Sequence, residues 1–414
     1  MKVFQINAVP YGSTGKIMFQ ISDIIEQSGG LCYTAASFTK DRGIAFPQHY
    51  IQIGTAFGKL FHILFARVTG HAGTYSKAAT RNLIRQIKAV DPDIIHLHIL
   101  HSWYINLPLL FAYLKKSGKK VVWTFHDCWA FTGHCANFEM VQCEKWQTQC
   151  RNCPQFQTYP ECWKDDSVYQ YRMKKRLFTD VPEMTIVAPS EWMKRNVERS
   201  FLSSYPVYVI RNGIDLQVFR PTAGTFREKH HWENKKILLG VAYAWTDKKG
   251  LDVFIELAER LPECFQIILV GPDEKVDRRL PENILSVHRT ENVQELAEIY
   301  STADIFVNPT REDNFPTVNL EALACGLPVV TFQTGGSPEC VDGKTGCVVP
   351  KNDVEAMFQA ILRIVREQPY KRQDCVERAR MFDKSKCGEK YLTLYRCLLQ
   401  QSVEKTEPVV ELAI

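Results

Sequence analysis

The chain has 414 residues, a length that points to two domains rather than one. Hydrophobic residues make up 45% of it and charged residues 23%, the balance of a globular protein with a sizeable core. No apolar run approaches the roughly 18 residues of a spanning helix, and a net charge of +5 is too small to argue for a nucleic-acid partner.

The N-terminal stretch has no signal-peptide pattern, so a cytoplasmic location is expected. It reads as a strand, Lys2–Asn7, a glycine turn, Tyr11-Gly-Ser-Thr-Gly15, and an amphipathic helix, Lys16–Gln27. Asp91-Pro92-Asp93 introduces a strand at Ile94–His98, and Leu107–Lys116 is a helix stopped by Gly118. Val121–Phe125 and Met184–Ala188 are strands, and Ser190–Arg199 is a helix with Ser190 as its cap. Val207–Ile210 closes the series before Asn212-Gly213-Ile214-Asp215.

A polar stretch, Gln217–Asn234, leads to a second series. It runs strand Lys236–Ala242, helix Leu251–Leu261, strand Phe265–Val270, helix Val293–Ser301 and strand Ile305–Asn308. A helix carrying Glu321 follows, then strand Leu327–Phe332 and helices Val354–Arg366 and Gly388–Leu399. Such alternation predicts an α/β protein of two doubly wound, Rossmann-like domains that face each other across a cleft. The domains are expected at 1–218 and 235–383, with 219–234 as linker.

Ligands of such sheets sit at the carboxyl ends of the strands, and the polar clusters fall there. Gly15 opens the first helix, where backbone amides can meet an anion, although a plain structural turn would look the same. His126, beside Asp127, follows a strand and can bond a sugar hydroxyl or a phosphate; the bland alternative is a loop histidine satisfied by backbone. His96 and His98 share a strand face near His101, but no carboxylate or cysteine completes a metal set. In the second half Asp247-Lys248-Lys249-Gly250 opens a helix, and a lysine there can neutralise a diphosphate leaving group. Asp313 and Glu321 stand eight positions apart around the turn Asn314-Phe315-Pro316. Glu321 can accept from ribose hydroxyls, Asp313 from sugar hydroxyls, and the amides of Thr317 and Val318 can meet phosphate.

Two further features stand apart. Six of the fourteen cysteines crowd into Cys128–Cys162, and Cys150-Arg-Asn-Cys153 has zinc-knuckle spacing. Cys135 and Cys143 are the nearest partners for a structural four-thiolate zinc site; free buried or disulfide-capable cysteines are the alternative. Between Asp41 and Asp91 there is no acidic residue, while Arg42, Lys59, Arg67, Lys77, Arg81, Arg85 and Lys88 fall in that interval. Phe57, Leu60, Phe61, Leu64, Phe65 and Val68 recur at helical spacing, so the 57–88 stretch is a basic amphipathic segment. It fits either an anionic membrane surface or a helix packed on the first domain.

Across nearly the whole chain the motifs GSTGK, DPDIIHLHILHSWYIN, TFHDCWAFTGHC, APSEWM, VIRNGID, DKKGLDVF and NPTREDNFPTVNLEALACGLPVVTFQTGGSPE resemble the family 4 retaining glycosyltransferases. The similarity is greatest to the bacterial branch that builds capsular, colanic-type or O-antigen polysaccharides. The resemblance implies the GT-B fold, with the last helix, about 384–400, packing back on the first domain. It implies a hexosyltransferase that moves sugar from a nucleotide-diphosphate sugar to a glycan or lipid-linked acceptor, with retention and without a catalytic cofactor. Asp313 and Glu321 take the two acidic donor-binding positions, Lys249 the diphosphate lysine, and Gly15 and His126 the positions of the first domain. Two departures stand out: Asp313 replaces the usual Glu, and Tyr243 occupies the usual Arg position, which Lys248 can compensate. A GT-B epimerase or phosphorylase, or a non-catalytic sugar-nucleotide-binding subunit, are the rival readings.

Overall fold

The computed structural model describes residues 1–39 and 45–400; Asp41 and Arg42 of the basic stretch lie outside them. The chain divides into two compact units, 1–211 with 387 onward, and 212–386. Unit 1 is built on seven parallel strands: β1 (Lys2–Asn7), β2 (Leu31–Ser37), β3 (Tyr50–Ile53), β4 (Ile94–Leu97), β5 (Lys120–Thr124), β6 (Met184–Ala188) and β7 (Val207–Val209). Their order across the sheet is β3-β2-β1-β4-β5-β6-β7. Unit 2 has six parallel strands: β8 (Lys236–Val241), β9 (Phe265–Val270), β10 (Ile284–Val287), β11 (Ile305–Asn308), β12 (Val329–Phe332) and β13 (Gly346–Val349), in the order β10-β9-β8-β11-β12-β13. Helices cover both faces of such sheets, so central strands are apolar throughout rather than alternating. All four residues of β4, β11 and β12 are buried.

The helix Lys384–Gln400 places Tyr391, Leu394, Tyr395 and Leu398 in one cluster with Val3, Ile17, Ile21 and Ile94 of unit 1. Gly388 makes the contact close: a Cβ there would lie 1.9 Å from Ile24. The stretch 219–234 is not a free linker but part of unit 2. Phe219 is buried, and the Arg227 guanidinium donates to the Thr302 carbonyl at 3.0 Å and to Asp304 at 2.7 Å. Its polar composition suggested a linker because a few anchors, not a periodic apolar face, hold it down.

The first helix runs Gly12–Gln27, so Gly12 to Gly15 form its first turn rather than a preceding loop. The 57–88 stretch is two helices, Ala56–Thr69 and Lys77–Val90. Thr55 caps the former by accepting from the Gly58 amide at 3.2 Å, and Gly70 at φ 75° ends it.

Candidate functional site

In an open parallel sheet the crevice forms where the strand order reverses. In unit 2 that point lies between β8 and β11. The loop after β8 carries the turn Asp247–Lys249, and Gly250 at φ 73° ends it. A Cβ on Gly250 would lie 2.5 Å from the Pro309 carbonyl oxygen, so glycine lets this loop press against the one after β11. Arg311 fastens the two loops. Its amide donates to the Lys248 carbonyl at 2.8 Å, and its guanidinium meets both Asp252 carboxylate oxygens at 2.7 Å. It also reaches Asn352 Oδ1 at 2.7 Å. Two ion pairs result, Lys248 Nζ to Glu312 Oε2 at 2.8 Å and Lys249 Nζ to Asp313 Oδ2 at 2.7 Å. Tyr243, at the position expected to hold Arg, is 89% exposed and brings no charge.

The helix Thr317–Ala324 begins at Pro316 with no side chain capping its first turn and no acid in it. Its amino end is therefore a positive pole without a side-chain cap of its own. Glu321, one turn on, accepts a hydrogen bond from the Tyr300 hydroxyl at 3.0 Å. Tyr300 is fully buried, and burial followed by the Glu321 charge pushes its hydroxyl well above the usual range, so it remains a donor. Asn308 Nδ2 donates to Asn319 Oδ1 at 2.7 Å, tying β11 to this helix.

Not every expected donor contact offers a side chain. Phe315 and Pro316 are buried, and Phe315 packs on Phe382 with ring centroids 5.8 Å apart. These two residues shape the loop from beneath, while Asp313, Asn314 and Thr317 keep exposed surface. Sequence reasoning missed Arg311 and Tyr300, whose partners are remote in the chain. It also missed Thr334 and Ser337, two buried hydroxyls without hydrogen-bond partners in the loop after β12. A run of polar residues beside Gly335 was their only signal.

In unit 1 the strand order reverses between β1 and β4. Gly15 is buried in its helical turn, where a Cβ would lie 2.5 Å from the Pro10 carbonyl carbon; close packing requires this glycine. His126, just past β5, lies with Nε2 3.0 Å from His98 Nδ1, and His98 Nε2 lies 2.9 Å from Gln5 Oε1. His96 is held by Thr124 at 2.8 Å and by Tyr395 at 2.7 Å. Burial lowers His96 to about 3 and His126 to about 4, and it drives His98 well below the usual range. All three are neutral near pH 7. Asp127 lies 2.6 Å from His101 Nε2 and accepts the Trp129 amide at 2.9 Å. Burial would raise its carboxyl, but His101 and that amide outweigh it and keep it below the usual carboxylate range.

The expected zinc cysteines, Cys135, Cys143, Cys150 and Cys153, line one small cavity with Trp146 and Phe138. Among the described residues, however, no group of three or more His, Cys, Asp or Glu is arranged to hold a metal ion. Cys150 Sγ accepts the Gly133 amide at 3.1 Å, and Cys135 hydrogen-bonds Cys153. The Lys174 ammonium pins this loop from beneath, donating to the carbonyls of Trp129 and Thr132 at 2.8 and 3.0 Å.

Fold and site together define a glycosyltransferase with the GT-B fold. Residues 47–218 match the family model described as Glycosyltransferase Family 4, and residues 235–367 match the one described as Glycosyl transferases group 1; the chain belongs to the family 4 glycosyltransferases. It is 25% identical over 282 residues to a putative colanic acid biosynthesis glycosyl transferase of Escherichia coli K12, across 66% of this chain and 67% of that one. It is 29% identical over 208 residues to a GDP-mannose-dependent alpha-(1-6)-phosphatidylinositol monomannoside mannosyltransferase of Mycolicibacterium smegmatis, across 45% of this chain. That alignment spans about half of the relative's length, 54%. Among solved structures, sucrose-phosphate synthase of Thermosynechococcus elongatus superposes with a TM-score of 0.71 at 18% identity, covering 96% of this chain and 99% of that one. Anabaena HepE in complex with UDP-glucose superposes with a TM-score of 0.66 at 12% identity, covering 96% and 100%.

Proposed function

We propose that this glycosyltransferase transfers a hexose, with retention of anomeric configuration, from a nucleotide-diphosphate sugar to a glycan or lipid-linked acceptor in surface polysaccharide synthesis. The observation that carries the reading is the convergence of Lys249, Asp313 and the Glu321 helix around the switch point of the unit 2 sheet. Each group has a task suited to its chemistry. Lys249 and the uncapped helix start stabilise the charge that develops on the departing diphosphate. Glu321, oriented by Tyr300, accepts from ribose hydroxyls, and Asp313 accepts from the sugar. Lys248 adds a second cation where Tyr243 brings none, once it exchanges Glu312 for phosphate. Unit 1 supplies acceptor recognition, with His126 bonding a substrate hydroxyl. The neighbour solved with UDP-glucose and the GDP-mannose-dependent relative agree with a nucleotide-sugar donor.

The reaction takes place at the cytoplasmic face of a membrane in this reading. The helix Ala56–Thr69 supports it, since Phe57 is 78% exposed, Leu60 64%, and Phe61, Leu64, Phe65 and Val68 are exposed with them. Lys59 and Arg67 are engaged within the protein, by Ser37 and by Glu161, so the attraction for anionic lipid falls to Lys77, Arg81, Arg85 and Lys88, all exposed. No helix among the described residues is long and apolar enough to cross a membrane. The stereochemical claim is tested by proton NMR of the product formed from an α-linked donor. An α-glycoside supports retention, and a β-glycoside rejects it.

A further inference from the structure

We propose that Tyr159 and Trp103 form a stacking platform for a pyranose ring of the acceptor glycan, with Ser102 and Asp127 at its edge to bond the sugar hydroxyls. The choice of a sugar as ligand rests on the functional reading above; the platform itself rests on geometry.

The two ends of Tyr159 lie in different surroundings. Its hydroxyl is held within the protein, 3.0 Å from His101 Nδ1 and 2.5 Å from Ser102 Oγ. Burial pushes that hydroxyl up to about 12, so it is protonated near pH 7. The residue as a whole is 50% exposed, so ring surface rather than the hydroxyl meets solvent. Trp103 packs against it edge to face, with ring centroids 5.7 Å apart and planes at 88°. Ser102 and Trp103 sit at φ 80° and 62°, a left-handed region that a side chain as bulky as Trp rarely adopts. The loop thus holds two consecutive strained residues, and that strain brings the Ser102 hydroxyl and the Trp103 ring to Tyr159. On the other side Thr158 is anchored through its carbonyl, which accepts from His134 Nε2 at 3.3 Å.

The platform lies at the ligand end of the unit 1 sheet. Ser102 and Trp103 belong to the loop after β4, and His101 of that loop meets Asp127, from the loop after β5, at 2.6 Å. Tyr159 is within electrostatic reach of Tyr11, just past β1. β1 and β4 flank the point where the strand order reverses.

The chemistry suits a sugar. A pyranose ring has faces of slightly positive C–H groups, which settle on the negative face of an aromatic ring, while its hydroxyls point outward around the edge. Ser102 and Asp127 both keep part of their surface exposed and offer oxygen acceptors there. A purely apolar partner, such as an acyl chain, would cover these oxygens without bonding them.

The test is saturation-transfer NMR on the full chain with the methyl glycosides of glucose, galactose and mannose, and with uridine monophosphate alongside. At least one glycoside should receive saturation on its ring C–H protons. Tyr159→Ala should weaken that glycoside's binding about tenfold, while Tyr159→Phe, which keeps the ring and drops the hydroxyl, should hold it within about twofold. Unchanged glycoside binding in Tyr159→Ala, equal losses in the two variants, or saturation of none of the three glycosides overturns the platform. So does a loss of uridine monophosphate binding in place of glycoside binding, which would make the ring a nucleobase contact. Should Tyr159→Ala not fold, protein deuterated everywhere except at its tyrosine rings still decides. Saturation should then pass to the glycoside in the wild type and cease in Tyr159→Phe although the glycoside remains bound; transfer that persists in Tyr159→Phe overturns the proposal. Glycoside stacking on Tyr159 in a protein that transfers sugar from no nucleotide-sugar would overturn the functional reading instead and leave the platform standing.

Discussion

Lys249 and Asp313 form an ion pair, with Nζ 2.7 Å from Oδ2. They come from loops after two different strands, β8 and β11, which Gly250 and Arg311 hold together. Asp is one methylene shorter than the usual Glu of the family, yet it reaches the lysine. Asp313 thereby positions the Lys249 cation. Both partners retain exposed surface, so the pair contributes only about 1 kcal/mol or less to stability. Lys249→Ala should accordingly leave the melting temperature nearly unchanged and lower kcat by about 10²- to 10³-fold. Lys248→Ala should also lower kcat, because Tyr243 supplies no charge. Unchanged turnover in Lys248→Ala would reject that compensation.

The cysteine cluster makes a chemical prediction. The hydrogen bond from Cys135 lowers the Cys153 thiol to about 7, while burial pushes Cys150 and Cys162 up to about 11. A thiolate is the form that alkylates. Among the six cysteines of Cys128–Cys162, Cys153 should therefore label first with iodoacetamide at pH 7, as read by peptide mass mapping. About one equivalent of bound zinc, with Cys153 protected, would contradict this arrangement of free thiols.

Acid should weaken unit 1. Burial lowers His62 and His96 to about 3 and His126 and His134 to about 4, and drives His98 lower than usual as well. Each gains a proton near pH 6.5 once unfolded, so below that pH the unfolded state binds more protons. The stability these neutral rings contribute is fully present above pH 6.5 and is lost as pH falls toward 3 to 4. The loss approaches about 1.4 kcal/mol per pH unit for each ring. Calorimetry from pH 7.5 to 5 should show the unit 1 transition moving down steeply. A transition that does not move would contradict the buried neutral histidines.

The exposed helix predicts lipid dependence. Phe57→Asp with Leu64→Asp should cut sedimentation with anionic vesicles by at least about tenfold, since each apolar side chain buried in lipid is worth roughly 1.5–3 kcal/mol. Binding should also weaken in high salt as the basic residues are screened. Equal binding to neutral vesicles, or none to either, would contradict a basic membrane face.

Much of this architecture was legible in the chain because buried parallel strands announce themselves. Ile305–Asn308 and Val329–Phe332 are apolar runs bounded by loop residues. β2, β3, β10 and β13 went unread for physical reasons: Leu31–Ser37 mixes Tyr, Thr and Ser into its run, and the other three are sheet-edge strands that are only partly buried. In the site, Lys249, Asp313 and Glu321 were visible as charges at loops and helix starts. The pairing of Lys248 with Glu312, the Arg311 clamp and the Tyr300 hydroxyl were not, because each joins residues at least 21 positions apart. The knuckle spacing of Cys150 and Cys153 suggested a metal site, and among the described residues no group of three or more His, Cys, Asp or Glu is arranged to hold one.

The central claim is that Glu321, oriented by Tyr300, holds a nucleotide-sugar donor. The direct measurement is release of nucleoside diphosphate by purified full-length protein, supplied in turn with uridine-, guanosine- and adenosine-diphosphate sugars. The wild type should release nucleoside diphosphate from one donor class. Glu321→Ala should lose that release, and Tyr300→Phe should raise the donor KM about tenfold, the worth of one hydrogen bond to a charged group. Release that persists undiminished in Glu321→Ala, or none from any donor by the wild type, would contradict it.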